Sequence, residues 1–317
     1  MDSFAENTPM NIPQTTLRTA LTRSLFTLLC TSALWYALPG AQGQLYVAEY
    51  GSNRVGEYNA TTGGVINAGL VPGLAGPLGI TVVGNVLYSA NNSGSSVGTY
   101  NATTGTVLKA SFITGLNGPV DLVVSGNVLF VANSGNNTVW CYNATTGAPI
   151  NPFFITGLGG PSGITTFGNS LYVCNSTTNS IRQYNATTGA VVNASFITGL
   201  NDPWGIRIVG NALYVANSNG NTVGLYNATT GAAVNASFIT GLSRPAGIEV
   251  AGNDLYVANL NGGTVGRYDA TTGAAINASF ITGLNQPADV ALAVPEPGTA
   301  GLVLLGGLVL GRRRWTG

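Results

Sequence analysis

The amino-acid sequence repeats itself at a spacing of 42 residues. Each copy carries a tyrosine followed by the turn sequence Asn-Ala-Thr-Thr-Gly, in which Asp269 replaces the asparagine of the last copy. The tyrosines are Tyr58, Tyr100, Tyr142, Tyr184, Tyr226 and Tyr268. β-branched and aromatic residues fill the runs between turns, and no run has a helical pattern. A repeat of this kind indicates a chain built from copies of one small all-β unit.

The copy from 201 to 242 contains four segments with the composition of β-strands, at 205–209, 213–217, 222–226 and 233–240. Gly210-Asn211 joins the first two and suits a two-residue hairpin, while the asparagine and glycine of 227–231 suit a tight turn. Four antiparallel strands in a repeat of this length form one blade of a β-propeller. The six copies between 43 and 294 therefore predict an all-β, six-bladed propeller of four-stranded antiparallel blades.

The order of strands also predicts how the ring closes. The chain enters the repeats at a second strand, 45–48, and leaves them with a first strand, 288–294. The C-terminal strand is expected to complete the N-terminal blade, so that the ring closes without an unpaired edge. Connections alternate between the strand ends. The Gly-Asn hairpins and Asn-Ala-Thr-Thr-Gly turns therefore share one face, called here the turn face, and the more variable loops share the opposite, variable face.

Charge and the missing histidine exclude several classes of protein. Asp, Glu, Lys and Arg make up 7% of the chain, the formal net charge is zero, and Lys109 is the single lysine. A nucleic-acid partner is not expected, because there is no basic stripe to replace phosphate counterions. Without histidine, Ser-His and Cys-His triads and the usual zinc spacings are impossible. No catalytic residue, metal or cofactor is predicted. Cys141 and Cys174 are expected to be small buried residues, with a disulfide as the alternative.

The N-terminal region has the pattern of an export signal. Arg18 and Arg23 precede an apolar run at 25–38, and small residues follow up to Gly43. This order predicts a secretory signal peptide over 1–43, with an uncleaved signal anchor as the alternative. The long stretch before Arg18 makes Met10 a candidate start.

The C-terminal region, 295–317, has three parts. Pro295, Glu296 and Pro297 lead into the apolar segment 298–311, and Arg312, Arg313 and Arg314 follow it. The segment is short for a transmembrane helix, and the arginines are expected to hold its end on the cytoplasmic side. This order resembles the PEP-CTERM protein-sorting domain. The resemblance implies a Gram-negative envelope, processing by an exosortase, transient membrane association, and a role with extracellular polysaccharide or biofilm at the cell surface. A plain tail anchor is the alternative.

The repeats also resemble known families. Residues 213–231 resemble the YVTN family of β-propeller repeats, and Pro203–Ile206 resembles an element of NHL repeats. The resemblance covers 43–294. It implies a propeller fold, whereas its relatives serve as surface proteins, scaffolds and occasional enzymes. YVTN propellers often have seven blades, and six are countable here.

Departures from the repeat point to a candidate site. Asp121 and Asp289 replace a glycine of the other four blades and are expected on blades several positions apart. Arg207 and Glu249 share a register on neighbouring inner strands, which predicts a salt bridge near the central channel. The candidate ligand-binding residues are Glu49, Asp121, Asp202, Trp204, Arg207, Arg244, Glu249 and Asp289. Most map to the variable face, where solvated loops also collect charges without a function.

Glu49 takes the place of an asparagine found in the other five blades. Those asparagines are expected to cap strand-to-loop turns, with glycan contact as the alternative; they are Asn91, Asn133, Asn175, Asn217 and Asn259. The sequence as a whole predicts an exported, non-catalytic propeller that binds or organises extracellular matrix, above all polysaccharide, or surface proteins. The alternatives are a metal-dependent hydrolase or lactonase and a self-associating structural surface protein.

Overall fold

The computed structural model describes residues 43–293, which form six four-stranded antiparallel sheets and no helix. Each sheet is one blade, so the predicted six-bladed propeller is confirmed. The strands, from the axis outward, are as follows. Blade A has β24 (Pro287–Ala293), β1 (Gln44–Glu49), β2 (Arg54–Asn59) and β3 (Val65–Val71). Blade B has β4 (Pro77–Val83), β5 (Val86–Asn91), β6 (Ser96–Asn101) and β7 (Val107–Thr114).

The other four blades repeat this order. Blade C has β8 (Pro119–Ser125), β9 (Val128–Asn133), β10 (Thr138–Asn143) and β11 (Pro149–Ile155). Blade D has β12 (Pro161–Phe167), β13 (Ser170–Asn175), β14 (Ser180–Asn185) and β15 (Val191–Ile197). Blade E has β16 (Pro203–Val209), β17 (Ala212–Asn217), β18 (Thr222–Asn227) and β19 (Ala233–Ile239). Blade F has β20 (Pro245–Ala251), β21 (Asp254–Asn259), β22 (Thr264–Asp269) and β23 (Ala275–Ile281).

The last strand closes the ring as the sequence predicts. β24 pairs antiparallel with β1, and the paired Cα positions include Gln44 with Ala293 and Tyr46 with Ala291. Blade A is thus built from both ends of the propeller, one strand from the C-terminal side and three from the N-terminal side. The second strand, β1, is therefore paired with a first strand on its inner side, as the second strand of every other blade is.

The core consists of six apolar clusters, one between each pair of neighbouring blades. The strands that supply them are buried on both faces, because each middle strand packs against a blade on either side. Leu45 and Val47 of β1, for example, pack against blade F, while Tyr46 and Ala48 pack against blade B. Cys141 and Cys174 are buried free thiols within such clusters, which confirms their expected place in the core without a disulfide.

A hydrogen bond recurs between blades. The second-strand tyrosine of one blade donates its hydroxyl to an alanine carbonyl in the Asn-Ala-Thr-Thr-Gly turn of the next. The pairs are Tyr46–Ala102 (3.0 Å), Tyr88–Ala144 (2.9 Å), Tyr172–Ala228 (3.1 Å), Tyr214–Ala270 (2.7 Å) and Tyr256–Ala60 (2.7 Å). Between blades C and D the corresponding residue is Phe130, which has no hydroxyl to donate.

The tight turns and the variable loops lie on opposite faces, as the sequence predicts. On the turn face, the hairpin asparagine accepts a bond from the first threonine of the turn, as in Thr229 Oγ1 to Asn211 Oδ1 at 3.0 Å. Gly210 has a φ of +58°, and it begins the two-residue connection between Val209 and Ala212. On the variable face, the loop after each second strand bonds to the interblade loop, as in Ser218 N to Asp202 O at 2.9 Å.

The predicted signal peptide and the predicted sorting tail, including Pro295–Pro297 and Arg312–Arg314, lie outside the described residues. Within 43–293, no helix is long and apolar enough to cross a membrane.

Candidate functional site

One position of each inner strand comes close to the propeller axis. In ring order from blade A these residues are Asp289, Gly79, Asp121, Gly163, Gly205 and Gly247. A Cβ on Gly79 would lie 2.6 Å from the Cα of Asp121, and one on Gly247 would lie 2.5 Å from the Cα of Asp289. Glycine is therefore required where the next strand approaches this closely.

The two aspartates use their carboxylates to join neighbouring blades. Asp121 accepts the N–H of Leu122 in its own strand (2.8 Å) and that of Ile164 in blade D (2.9 Å). Asp289 accepts the N–H of Ile80 in blade B (2.8 Å). These amides point towards the axis, where no strand can pair with them. Each carboxylate therefore fixes one inner strand against the next.

The expectation that Asp121 and Asp289 lie on blades several positions apart is wrong. Blades A and C are separated by blade B alone, and inner strands converge at the axis. Burial raises the pKa of Asp121 to about 7, although its amide partners and Arg207 oppose the rise. Burial also raises the pKa of Asp289 well above its ordinary value, and the nearby Asp121 and Glu249 carboxylates add to the effect.

The predicted ion pair between neighbouring inner strands is present. Arg207 of β16 contacts Glu249 of β20 at 2.7 Å, and a Glu249 oxygen also accepts the N–H of Val250 at 2.9 Å. Burial raises the pKa of Glu249, while Arg207 and these hydrogen bonds oppose the rise. The pair lines the same axial cavity as Asp121 and Asp289. Four of the candidate residues are thus brought together.

The axis is nearly filled. The cavity beside these four residues has a volume of about 40 Å³, which is room for little more than water. Above it, at the variable face, a second space of about 10 Å³ is bordered by residues of all six blades, among them Trp204, Leu78 and Val120. Trp204 is half-buried and borders this space at the mouth of the channel.

The remaining candidates lie apart from the axis. Asp202 and Arg244 occupy interblade loops with left-handed backbone, at φ +53° and +52°. Their amides donate to the Oδ1 atoms of Asn179 and Asn221, each at 2.8 Å. Burial raises the pKa of Asp202, and Arg244 partly opposes this. Both residues hold loop geometry that glycine provides in blades B, C and D.

Glu49 is fully buried and does not reach the variable surface. It binds Arg54 at 2.7 Å and accepts the N–H of Asn285 at 3.0 Å. Asparagines at this position do the same in other blades: Asn175 accepts from Gly159 (2.9 Å), and Asn217 from Asn201 (3.4 Å). These bonds support capping of the strand-to-loop turns. Glu49 is a loop anchor of blade A.

A larger space lies away from the axis, on the turn face between blades C and D. This C/D groove has a volume of about 460 Å³ and is lined by residues that include Phe130, Cys141, Phe154, Asn169 and Thr187. Sequence reasoning missed it. The available signal was Phe130, the single departure from tyrosine at its repeat position. A smaller groove of about 300 Å³ lies between blades B and C, beside Lys109 and Phe112.

The described residues contain no group of three or more Cys, Asp or Glu side chains placed to hold a metal ion. At the axis, the carboxylates of Asp121 and Asp289 already accept backbone amides, and Glu249 is neutralised by Arg207. This arrangement joins inner strands of neighbouring blades in three pairs, A with B, C with D, and E with F.

The closed ring, its repeated blade contacts and its filled axis define a six-bladed β-propeller repeat protein. A family profile described as "Outer membrane protein assembly factor BamB" matches residues 93–192. No curated protein matches the chain in sequence. A propeller in the "Crystal structure of Nidogen/Laminin Complex" is similar, with a TM-score of 0.68 and 17% identity over 80% of this chain and 98% of that one. The computationally designed Ika8 protein has a TM-score of 0.49 and 16% identity, over 79% and 74% of the two chains. These similarities concern the fold.

Proposed function

We propose that this protein is an exported, non-catalytic propeller that binds or organises extracellular polysaccharide at the cell surface. The signal-like segment 1–43 supports export, and the PEP-CTERM-like segment 295–317 supports sorting by an exosortase after transient membrane association. Family members with such tails are typically associated with extracellular polysaccharide or biofilm. The family profile is named for an outer-membrane assembly factor, and the similar structure is a nidogen/laminin complex. Both names describe proteins that act together with other proteins.

The observation that carries the non-catalytic assignment is the filled axis. Substrate pockets are usually about 300–1,000 Å³, whereas the axial spaces measure about 40 and 10 Å³. The polar side chains there bind one another and backbone amides. A substrate would therefore have to displace bonds that hold the inner strands together. Contacts with a partner therefore fall to the outer surfaces.

Those outer surfaces suit a neutral polymer. The turns of the turn face carry exposed amide and hydroxyl groups, as in Thr103 with Asn85 and Thr145 with Asn127, and charged side chains are few. Such groups bind sugar hydroxyls through hydrogen bonds that salt does not screen, unlike ion pairs. Binding by this surface is expected to persist at high ionic strength.

The test is saturable binding of purified residues 43–293, which form a complete ring, to the producing organism's own extracellular polysaccharide. We expect binding that survives 1 M salt, with Trp204→Ala reporting whether the mouth of the channel takes part. Absence of binding at high protein concentration would refute the proposal and direct attention to protein partners.

Self-association is a second candidate, favoured by apolar side chains on the outer strands. Every blade exposes at least one, each at least 50% accessible: Val65, Val107, Ile150, Val191, Val234 and Ile276. An apolar belt of this kind is expected to drive association of copies. Concentration-dependent sedimentation without ligand, reduced by replacing these residues with threonine, would identify it.

A further inference from the structure

The C/D groove lies where the repeated interblade hydrogen bond is missing. At five interfaces a tyrosine hydroxyl reaches a turn alanine carbonyl, at 2.7–3.1 Å. At the sixth, Phe130 leaves the Ala186 carbonyl oxygen without this donor. Within residues 43–293, no other group donates a hydrogen bond to that oxygen. The groove therefore contains an acceptor whose usual hydroxyl partner is absent.

A second departure from the repeat widens the same place. Cys141 lines the groove at a position that carries longer side chains in four other blades. Those residues are Glu57, Gln183, Leu225 and Arg267, with Thr99 in the remaining blade. In blade F, Arg267 donates to the turn carbonyl of Thr61 in blade A at 2.9 Å, which bridges that interface. The short Cys141 side chain makes no such bridge across its interface.

The lining favours a neutral ligand with both apolar and hydroxyl-bearing parts. It contains no charged residue. Phe130 and Phe154 supply an apolar wall, with ring centroids 5.4 Å apart. The Oδ1 atoms of Asn151 and Asn169 already accept bonds from Phe153 N and Thr187 Oγ1, so their amide nitrogens remain as donors to a ligand.

We propose that the C/D groove binds a neutral sugar unit of a polysaccharide, with one sugar hydroxyl donating to the Ala186 carbonyl oxygen. That hydroxyl takes the place of the tyrosine hydroxyl found at the other interfaces. A sugar ring offers an apolar C–H face to the phenylalanines and hydroxyl acceptors to the asparagine amides. The volume of about 460 Å³ is within the usual range for a ligand pocket. This assignment rests on the polysaccharide-binding function proposed above and names its subsite.

The decisive variant is Phe130→Tyr, which restores the residue of the other five blades. Its hydroxyl is expected to reach Ala186 and occupy the ligand's position. Polysaccharide affinity should fall at least tenfold, while the melting temperature stays the same or rises. Cys141→Leu, which introduces the blade E residue, should weaken binding by narrowing the groove. Tyr214→Phe removes a hydroxyl at another interface and serves as the matched control, with binding unchanged.

Titration uses residues 43–293 with the organism's polysaccharide and with the neutral disaccharides cellobiose, maltose and laminaribiose. Loss of binding in folded Phe130→Tyr, with binding retained in Tyr214→Phe, supports the subsite. Unchanged affinity for polysaccharide in both Phe130→Tyr and Cys141→Leu overturns it while leaving the proposed function intact. Failure of the unaltered protein to bind any of these sugars overturns both.

Discussion

At the scale of single residues, the axial aspartates are structural acids. Their carboxylates accept amides of two blades in a place where a glycine would leave those amides unpaired. Burial makes the ionised form costly, and raises the pKa of both groups. The free energy of folding therefore depends on their protonation.

Stability is expected to decrease as the pH rises from about 4 to about 8. The pKa of Asp121 is near 7 in the folded protein and near 4 in the unfolded chain, so the folded state holds more protons in this interval. The favourable contribution is complete below the unfolded pKa and is lost as the pH passes through the folded one. Asp289, Glu249 and Asp202 have raised pKa values and act in the same direction. Denaturant unfolding at several pH values measures the slope.

Asp121→Asn and Asp289→Asn should flatten that slope, because an amide does not titrate. Asp254→Asn, which alters a half-buried carboxylate paired with Arg267 at 2.8 Å and outside the lining of the axial cavity, is the comparison. An equally steep pH dependence in the two axial variants would show that other groups cause it.

The interblade tyrosines allow a matched measurement of one hydrogen bond. Tyr172→Phe removes the hydroxyl that donates to the carbonyl of the buried Ala228; Phe130 likewise lacks this hydroxyl one interface earlier, where Ala186 lines the C/D groove. We expect a loss of about 1 kcal/mol in the free energy of unfolding. The same substitution at Tyr214 should cost a similar amount, and Phe130→Tyr should change stability in the opposite direction. Equal stability of all three variants would show that water replaces the hydroxyl without cost.

At the scale of elements, each outer strand protects its own edge. In five blades an asparagine Oδ1 accepts the backbone N–H two residues later, at 2.9–3.1 Å. The asparagines are Asn67, Asn151, Asn193, Asn235 and Asn277. Blade B has Lys109 at this position, and a lysine is another common protection of sheet edges. The outer strand also bulges here. In blade D, for example, Ile181 of β14 pairs with Ile197 of β15 and Gln183 pairs with Asn193, so β15 has extra residues between the two pairs.

Removing one such cap should promote association between molecules. Asn193→Val frees the amide of Ser195 and adds a residue with high β-propensity to an exposed edge. We expect larger species in sedimentation velocity at concentrations where the unaltered protein is monodisperse. Asn193→Asp keeps an acceptor at the same place and is the control. If Asn193→Val sediments like the parent, the side-chain cap does not limit edge pairing.

The strands are predicted well from the sequence because the same pattern of strands and turns occurs in six copies that can be compared. Strand 222–226 is predicted within one residue of Thr222–Asn227, since a tight turn follows it. The first strand begins earlier than predicted, at Pro203, because proline occupies its first residue and pairs with Asn217. The salt bridge of Arg207 with Glu249 follows from shared register. The proximity of Asp121 to Asp289 could not be predicted from register, because it depends on how closely the inner strands approach the axis.

At the scale of the whole molecule, the ring depends on its closing strand. Ending the chain at Gln286 removes β24 and leaves the inner edge of β1 unpaired. It also removes Asp289 and its bond to Ile80 of blade B. We expect a large decrease in melting temperature, or exchange of strands between copies. Calorimetry and size-exclusion chromatography measure these outcomes. Ending the chain at Ala293 keeps the full ring, and the proposal of closure requires that this variant retain the melting temperature of the longer chain.

The pairing of Gln44 with Ala293 also fixes where the propeller can be held. Both residues lie at the turn-face ends of their strands, so the polypeptide enters and leaves the ring side by side. If a flanking segment anchors the protein as proposed, the turn face lies on the anchored side and the variable face on the opposite side. The C/D groove opens on the anchored side. Under the proposed sorting, cleavage beyond the last strand would therefore also expose the C/D groove.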